Sequence, residues 1–255
     1  VKNTSAYWVD AFNKAGGNLG AIGRGMDDGT LWTATQNGRV FVSKNANAAA
    51  AASVTYTRID TSAQPQRFPS STTVDTTNPN HAIVSFSGYN SSTPATPGHV
   101  FDVVFDPATG TATWKDLSYD LGDMPVSDTA YDAVTGDVYA STDFGVYRLA
   151  AGTTTWTTAA EDLPKVAVYS LTLADGEKFG ERLLWAATHG RRPSGTIASG
   201  YRIGVRYMRI VSSGARMCST SRTNTCSAAS ASATPVTASA RMIQTGIAST
   251  SPSKR

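Results

Sequence analysis

Three aspartates, Asp120, Asp123 and Asp143, are the side chains best suited by type to acid–base work. Cleavage of a glycosidic bond uses two carboxyl groups about 5 to 9.5 Å apart, one kept protonated by its surroundings, and the available pairs are Asp120 or Asp123 with Asp143. His189, in the run His189-Gly190-Arg191, has a ring fit for acid, base or ligand contact. Asn37, Tyr89, Phe144 and Arg191 add the amide, aromatic and guanidinium groups that hold polar ligands. No metal or cofactor is expected. Two cysteines, Cys218 and Cys226, beside three scattered histidines cannot make a four-ligand zinc site, and no twelve-residue calcium loop is present.

These residues must be positioned by something larger. The chain has 255 residues, 40% of them hydrophobic and 16% charged, which is enough for a sizeable core. No run approaches the roughly 18 apolar residues of a membrane span, and the first residues lack the basic-then-apolar layout of a signal peptide. Charge is unevenly placed: residues 1–191 hold 13 basic and 19 acidic side chains, whereas 192–255 hold nine basic and none acidic. That tail is crowded with Ser, Ala and Thr, and its only aromatics are Tyr201 and Tyr207. It lacks the repeated Arg/aromatic spacing of a stacking surface, so no nucleic-acid partner is expected.

A period runs through the first part. Leu31-Trp32-Thr33-Ala34-Thr35 followed by Gly38 to Val42 recurs as Asp137-Val138-Tyr139-Ala140-Ser141 followed by Gly145 to Leu149. It recurs again as Ile83-Val84-Ser85-Phe86-Ser87 followed by Gly98 to Val103, and restarts at Leu184-Trp185-Ala186-Ala187-Thr188. Each copy is two β-rich runs joined by a turn, the pattern of a hairpin. Downstream stands Thr55-Tyr56, Thr113-Trp114 or Thr155-Trp156, a third strand. Upstream an X-Pro step leads a strand to an Asp: Pro69 to Asp75, Pro125 to Asp132, Pro164 to Asp175. One repeat is thus four antiparallel strands, A to D, and the expected fold is all-β, a partial β-propeller of four-stranded blades. A β-sandwich would show short strands too, but gives no reason for the ordered signals to return.

The blades set the face on which the candidates stand. Connections B-to-C and D-to-A share one end of every blade, which places Asn37, Tyr89, Asp120, Asp123, Asp143, Phe144, His189 and Arg191 together, with the ten-residue insertion from Gly88 to Pro97 as the clearest excursion. Asp27 and Asp28 fall at the opposite end, as an A-to-B turn. Residues 1–191 make about three full blades and two incomplete ones; residues 192–255 form a basic low-complexity tail.

The C-to-D turns resemble the Asp-box (BNR) repeats of bacterial sialidase-like, xyloglucanase-like and sortilin-like propellers, whose pattern is Ser/Thr-x-Asp-x-Gly-x-Thr-Trp. Ser43-Lys44-Asn45 with Thr55-Tyr56 resembles an expanded box with Asn for Asp. Asp106 to Gly110 with Thr113-Trp114 resembles another, and Gly152 to Trp156 keeps the second half. Ala187-Thr188-His189-Gly190-Arg191 is similar to a Thr-His-Gly-Arg-Gly segment of members grouped with glycosyl hydrolases, with Arg192 in place of the last Gly. The resemblance implies a secreted protein, its signal peptide not in this chain, that acts on or binds polysaccharide or glycan. The alternative it implies is a non-catalytic platform for a protein or glycan. In the family the box Asp holds a turn, and the arginine triad of sialidases has no counterpart here.

Tyr7 to Phe12 reads like a D strand, so the chain begins mid-blade. Two accounts of the other end stay open: a fragment of a larger propeller whose reading derails after Arg191, or a ring closed on a fourth blade with Gly200 to Tyr207 as its C strand. The first makes 212–255 a disordered tail with little to bury. Limited proteolysis and amide exchange test this: cleavage within 212–255 and no protection there are expected, and strong protection would reject it.

Overall fold

Glycines in turns and strands of alternating character build the same four-stranded unit three times, and a fourth sheet follows with a different pairing. The computed structural model describes residues 15–159, 165–174, 183–190, 204–206 and 210–211. The first sheet holds β1 (Leu19–Arg24), β2 (Leu31–Thr35), β3 (Val40–Ser43) and β4 (Thr57–Arg58); the second β5 (Pro69–Val74), β6 (His81–Phe86), β7 (Val100–Asp106) and β8 (Thr111–Asp116). The third holds β9 (Val126–Asp132), β10 (Asp137–Thr142), β11 (Gly145–Leu149) and β12 (Trp156–Thr158); the fourth β13 (Val168–Ala174), β14 (Leu183–Gly190), β15 (Gly204–Arg206) and β16 (Ile210–Val211). Strand order follows the chain in the first three sheets, and in the fourth β15 and β16 both pair with β14. All pairings are antiparallel. The all-β architecture of four-stranded repeats is therefore as the sequence indicates, and no described helix is long and apolar enough to cross a membrane.

The sheets stack face to face. First strands adjoin in the series β1, β5, β9, β13. Three apolar clusters fill the gaps between successive sheets, so middle strands are buried on both sides. In β6, Ala82, Val84 and Phe86 join the cluster with the first sheet while Ile83 joins the cluster with the third. In β10, Val138 and Ala140 face the second sheet and Tyr139 the fourth. This corrects the alignment of the repeats. The side chains turned toward the following sheet are Trp32, Ile83 and Tyr139, so pairing Leu31 with Asp137 or with Ile83 is out by one residue. Such a slip exchanges the two faces of a strand, and it is invisible where both faces are apolar.

Contacts at the first strands are close. A Cβ on Gly20 would stand 2.9 Å from the Pro69 carbonyl oxygen, and one on Gly23 would overlap that of Thr72. Further along the series, Ser70 Oγ donates to Val126 O (2.6 Å) and Thr73 Oγ1 to Thr129 O (2.8 Å), while Leu171 N donates to Asp128 Oδ2 (2.8 Å). Every one of the four first strands carries a register shift near its start, at Gly20, Ser70, Ser127 and Tyr169. A bulge bends the strand and re-aims a side chain, and here it recurs at the same end of each sheet. Indoles tie the sheets farther out: Trp32 Nε1 donates to Pro79 O (2.9 Å), Trp114 Nε1 to Ile59 O (3.0 Å) and Trp156 Nε1 to Leu117 O (2.8 Å).

Strands also form past residue 191. Val205 pairs with His189, within the Gly200 to Tyr207 segment that the second account of the chain's end takes as a C strand, and Ile210, past that segment, pairs with Leu184. The segments 7–12 and 212–255 lie outside the described residues.

Replacing Gly23 by Ala drives a methyl group into the backbone of the second sheet. Gly23→Ala is expected to lose about 1–3 kcal/mol, read as a lower urea midpoint at unchanged slope; an unshifted midpoint would show that β1 and β5 can separate freely.

Candidate functional site

Contacts join the β4–β5 and β8–β9 connections to the β6–β7 insertion. Arg67, in the β4–β5 connection, is 7% exposed and reaches into the β6–β7 insertion. It donates to Ser87 O (3.0 Å), Thr93 Oγ1 (2.6 Å), Asn90 Oδ1 (3.3 Å) and Gly98 O, and its cation lies 5.9 Å from the centroid of the Phe86 ring. Burial holds Arg67 below the usual guanidinium range. Beside it His99 is fully buried, with Nδ1 3.3 Å from Arg67 Nη2 and Nε2 3.1 Å from Asp123 Oδ1. Burial, and then the Arg67 charge, push His99 down, so the ring is neutral. With its proton on Nε2 the ring donates to Asp123 and accepts from Arg67 at Nδ1, while Nδ1 also lies 3.3 Å from Phe86 O, a contact that the other tautomer would make a hydrogen bond.

Asp123 is thereby a fastening. Its Oδ1 accepts Asn90 N at 2.7 Å as well as His99, and the Asn90 N–H bond is the main reason its carboxyl sits below the ordinary aspartate value. Asp120 belongs to the short 3-10 turn Tyr119–Leu121, and its Oδ1 accepts Trp156 N of the third sheet at 2.8 Å. Asp143 stands in the two-residue turn between β10 and β11, exposed and without a hydrogen bond or ion pair. Among the described residues these three carboxylates share no hydrogen-bond partner. Tyr89 (54% exposed) and Phe144 (56% exposed) present their rings to solvent on the β6–β7 and β10–β11 connections, with Phe68 (47%) at the head of β5. Asn37 is exposed in the β2–β3 turn, where its N–H donates to Gly16 O (3.2 Å). His189 lies in β14 opposite Val205; its side chain and Arg191 are outside the described residues.

The turn residues hold turns. Asn45 Oδ1 accepts Thr55 N (2.9 Å), Thr55 Oγ1 (3.2 Å) and Ser43 Oγ (3.2 Å), and Nδ2 donates to Ser53 O (2.9 Å). Asp106 accepts Ala108 N and Thr109 Oγ1, each at 2.9 Å. Asp27, in the β1–β2 turn at the same end of the first sheet as Asn45, accepts Thr30 N at 3.0 Å and meets Lys44 Nζ at 3.3 Å.

One cluster was not foreseen. His81, the first residue of β6, has Nδ1 2.8 Å from Asp75 Oδ2 and Nε2 2.7 Å from Asp102 Oδ1, and meets the Tyr131 ring edge-on at 4.9 Å. Burial alone would push this imidazole down; its hydrogen bonds to Asp102 and Asp75 outweigh burial and raise it. Asp75 is likewise pushed up by burial, but the bonds from His81 and Thr77 bring it below its ordinary value. His81 is therefore an imidazolium between two carboxylates. The six-residue spacing from Asp75 to His81 was legible; Asp102 joins only through the β6–β7 register, which pairs it with the neighbouring Ile83. Beside the cluster lies a cleft of about 200 Å³ between the second and third sheets, bordered by Asp102, Lys115, Tyr131 and the β11–β12 turn.

No family model and no curated protein matches this sequence. Among solved structures, the chain is similar to Kuenenia stuttgartiensis hydrazine synthase, with a TM-score of 0.50 and 11% identity over 80% of this chain and 54% of that one. It is also similar to the β-propeller domain of Myceliophteria thermophila Cps50 (Swd1), with a TM-score of 0.46 and 11% identity over 83% of this chain and 73% of that one. This chain spans about half the length of the hydrazine synthase chain. At such identity the likeness is one of fold. The chain folds as a β-propeller.

The His81 cluster has a pH signature. A raised His81 contributes stability that is complete below its ordinary value of about 6.5 and is lost as pH rises through its folded value. A lowered Asp75 contributes stability present above its ordinary value and lost as pH falls through its folded value. The loss in unfolding free energy caused by His81→Gln is therefore expected to be largest below the ordinary imidazole value of about 6.5 and to shrink as pH rises past it. A difference independent of pH would show that His81 is not charged in the fold.

Proposed function

We propose that this chain is an extracellular propeller of the Asp-box type that binds a polysaccharide or glycan on the end carrying Tyr89, Phe144 and Phe68, and does not hydrolyse it. The observation that carries this reading is the Arg67–His99–Asp123 core under the insertion. Four side-chain bonds from one buried arginine hold the loop from both limbs, so Tyr89 is presented on a segment already ordered, and little further entropy is lost when a ligand lies on it. Exposed aromatic rings offer the C–H faces of sugar rings a flat apolar surface. Asn45, which gathers Thr55 and Ser43 around one amide oxygen, supports the Asp-box reading of the C-to-D turns.

Hydrolysis is disfavoured on chemical grounds. An acid–base pair needs two carboxyl groups flanking one bond. Asp120 and Asp123 are engaged with Trp156 N, Asn90 N and His99, which leaves Asp143 without a partner of like kind. Titration of the chain against a panel of plant and bacterial polysaccharides is expected to show binding without release of reducing ends. Tyr89→Ala and Phe144→Ala should each weaken that binding about tenfold, roughly 1.4 kcal/mol, with the fold intact. Turnover abolished by Asp143→Asn in a folded protein would replace this reading with an enzymatic one, and a protein ligand captured in place of any glycan would replace it with a protein-binding platform.

A further inference from the structure

The cleft beside His81 is distinct from the insertion: it lies between the second and third sheets, bordered by Gly136 of the β9–β10 turn, by Ala150 to Thr154 of the β11–β12 turn, and by Leu117 and Tyr119 where the β8–β9 connection begins. Its volume of about 200 Å³ is below the roughly 300 Å³ at which pockets for drug-sized molecules begin, so the occupant is small. Its floor is apolar, from Ile83, Val138 and Leu149. Its rim is polar and not satisfied from within. Among the described residues the Tyr131 hydroxyl and the second oxygen of Asp102 make no hydrogen bond, and Lys115, the cross-strand partner of Asp102 in the β7–β8 ladder, makes no ion pair.

The donor and acceptor types decide the ligand class. His81 offers no lone pair to a metal, since both its nitrogens are turned to carboxylates. A cation would meet Lys115 and an anion would meet Asp102, so neither is favoured by both sides of the rim. What suits a carboxylate, an ammonium and a phenol at once is a neutral molecule whose hydroxyls both donate and accept. An apolar floor beneath such a rim suits a ring with one C–H face. We infer that this cleft is a binding site for a single neutral pyranose or a polyol of that size, held between Asp102, Lys115 and Tyr131 over Ile83 and Val138.

The bridge Asp75–His81–Asp102 positions the site without touching the ligand at His81: it fixes Asp102, so that one oxygen is held and the other is aimed outward. Tyr131 comes from the third sheet, which makes the site a junction of two blades and its occupancy a clamp across them.

Amide shifts of the whole chain, recorded while D-glucose, D-galactose, N-acetyl-D-glucosamine and glucitol are added singly, test this. At least one is expected to shift the amides of Lys115 and of Ala150 to Thr154 with a millimolar dissociation constant, leaving those of residues 88–97 and 144 unmoved. Tyr131→Phe, which keeps the ring against His81, and Lys115→Met should each weaken that binding about 5- to 10-fold. No shift by any of the four at about 100 mM would overturn the inference, as would shifts that neither substitution reduces. Glycine shifting the same amides in place of the sugars would overturn the ligand class. The readouts are distinct from those of the insertion, so failure here leaves the glycan reading of the insertion-bearing end standing, and the reverse.

Discussion

The constraint on which the rest of this structure depends is that each sheet buries apolar residues against its neighbours, the second and third sheets on both faces. A four-stranded sheet of short strands buries too little alone, and the apolar residues of β6 and β10 point alternately into two different interfaces. Stability is consequently a property of successive pairs of sheets. Near the first strands the approach is limited by backbone, as Gly20 and Gly23 against Pro69 and Thr72 show, and farther out it is set by indoles that each reach one carbonyl of the adjacent sheet. A buried indole N–H must find an acceptor, and here each acceptor also fixes the spacing of two blades.

Such packing leaves polar chemistry to the ends of the sheets, where two kinds of polar structure coexist. Asp27, Asn45, Asp75, Asp106 and Asp132 each accept backbone N–H groups of their own turns, so most short acidic and amide side chains are structural. Arg67, His99 and His81 are of another kind: they join segments distant in sequence, and their protonation is tuned by burial and by the partners they meet. His99 and His81 illustrate the contrast. Each meets aspartate, yet burial and then the neighbouring Arg67 cation push the fully buried His99 down, while the two carboxylates around the part-buried His81 outweigh burial and raise it.

The same logic separates the two candidate sites. At one end the groups that sequence reasoning assigned to chemistry, Asp120 and Asp123, are consumed in fixing loops, and the residues left facing solvent are aromatic. At the blade junction, groups that attracted no attention in the sequence, Asp102, Lys115 and Tyr131, keep unused hydrogen-bonding capacity around an apolar floor. A functional reading follows better from which polar atoms remain unpaired than from which residue types could in principle react.

The sequence by itself determined the repeat, the four strands of each unit, the turn residues that separate them, and which loops share an end of the blades. These are local matters, carried by Gly and Pro positions, strand alternation and the recurrence of Thr-aromatic pairs. It left undetermined the register of one repeat against another, where Trp32 matches Ile83 and Tyr139, because strands apolar on both faces carry no mark of which face is which. It could not show the bulge common to the four first strands, since its positions are Gly20, Ser70, Ser127 and Tyr169, with no single residue type to mark them. Nor could it show that Arg67 lies under an insertion more than 20 residues away, or that Asp75, His81 and Asp102 meet. Those were decided by tertiary structure, because a buried charge is placed by the partners that neutralise it, and partners drawn from different strands come together only when the sheets have paired and stacked.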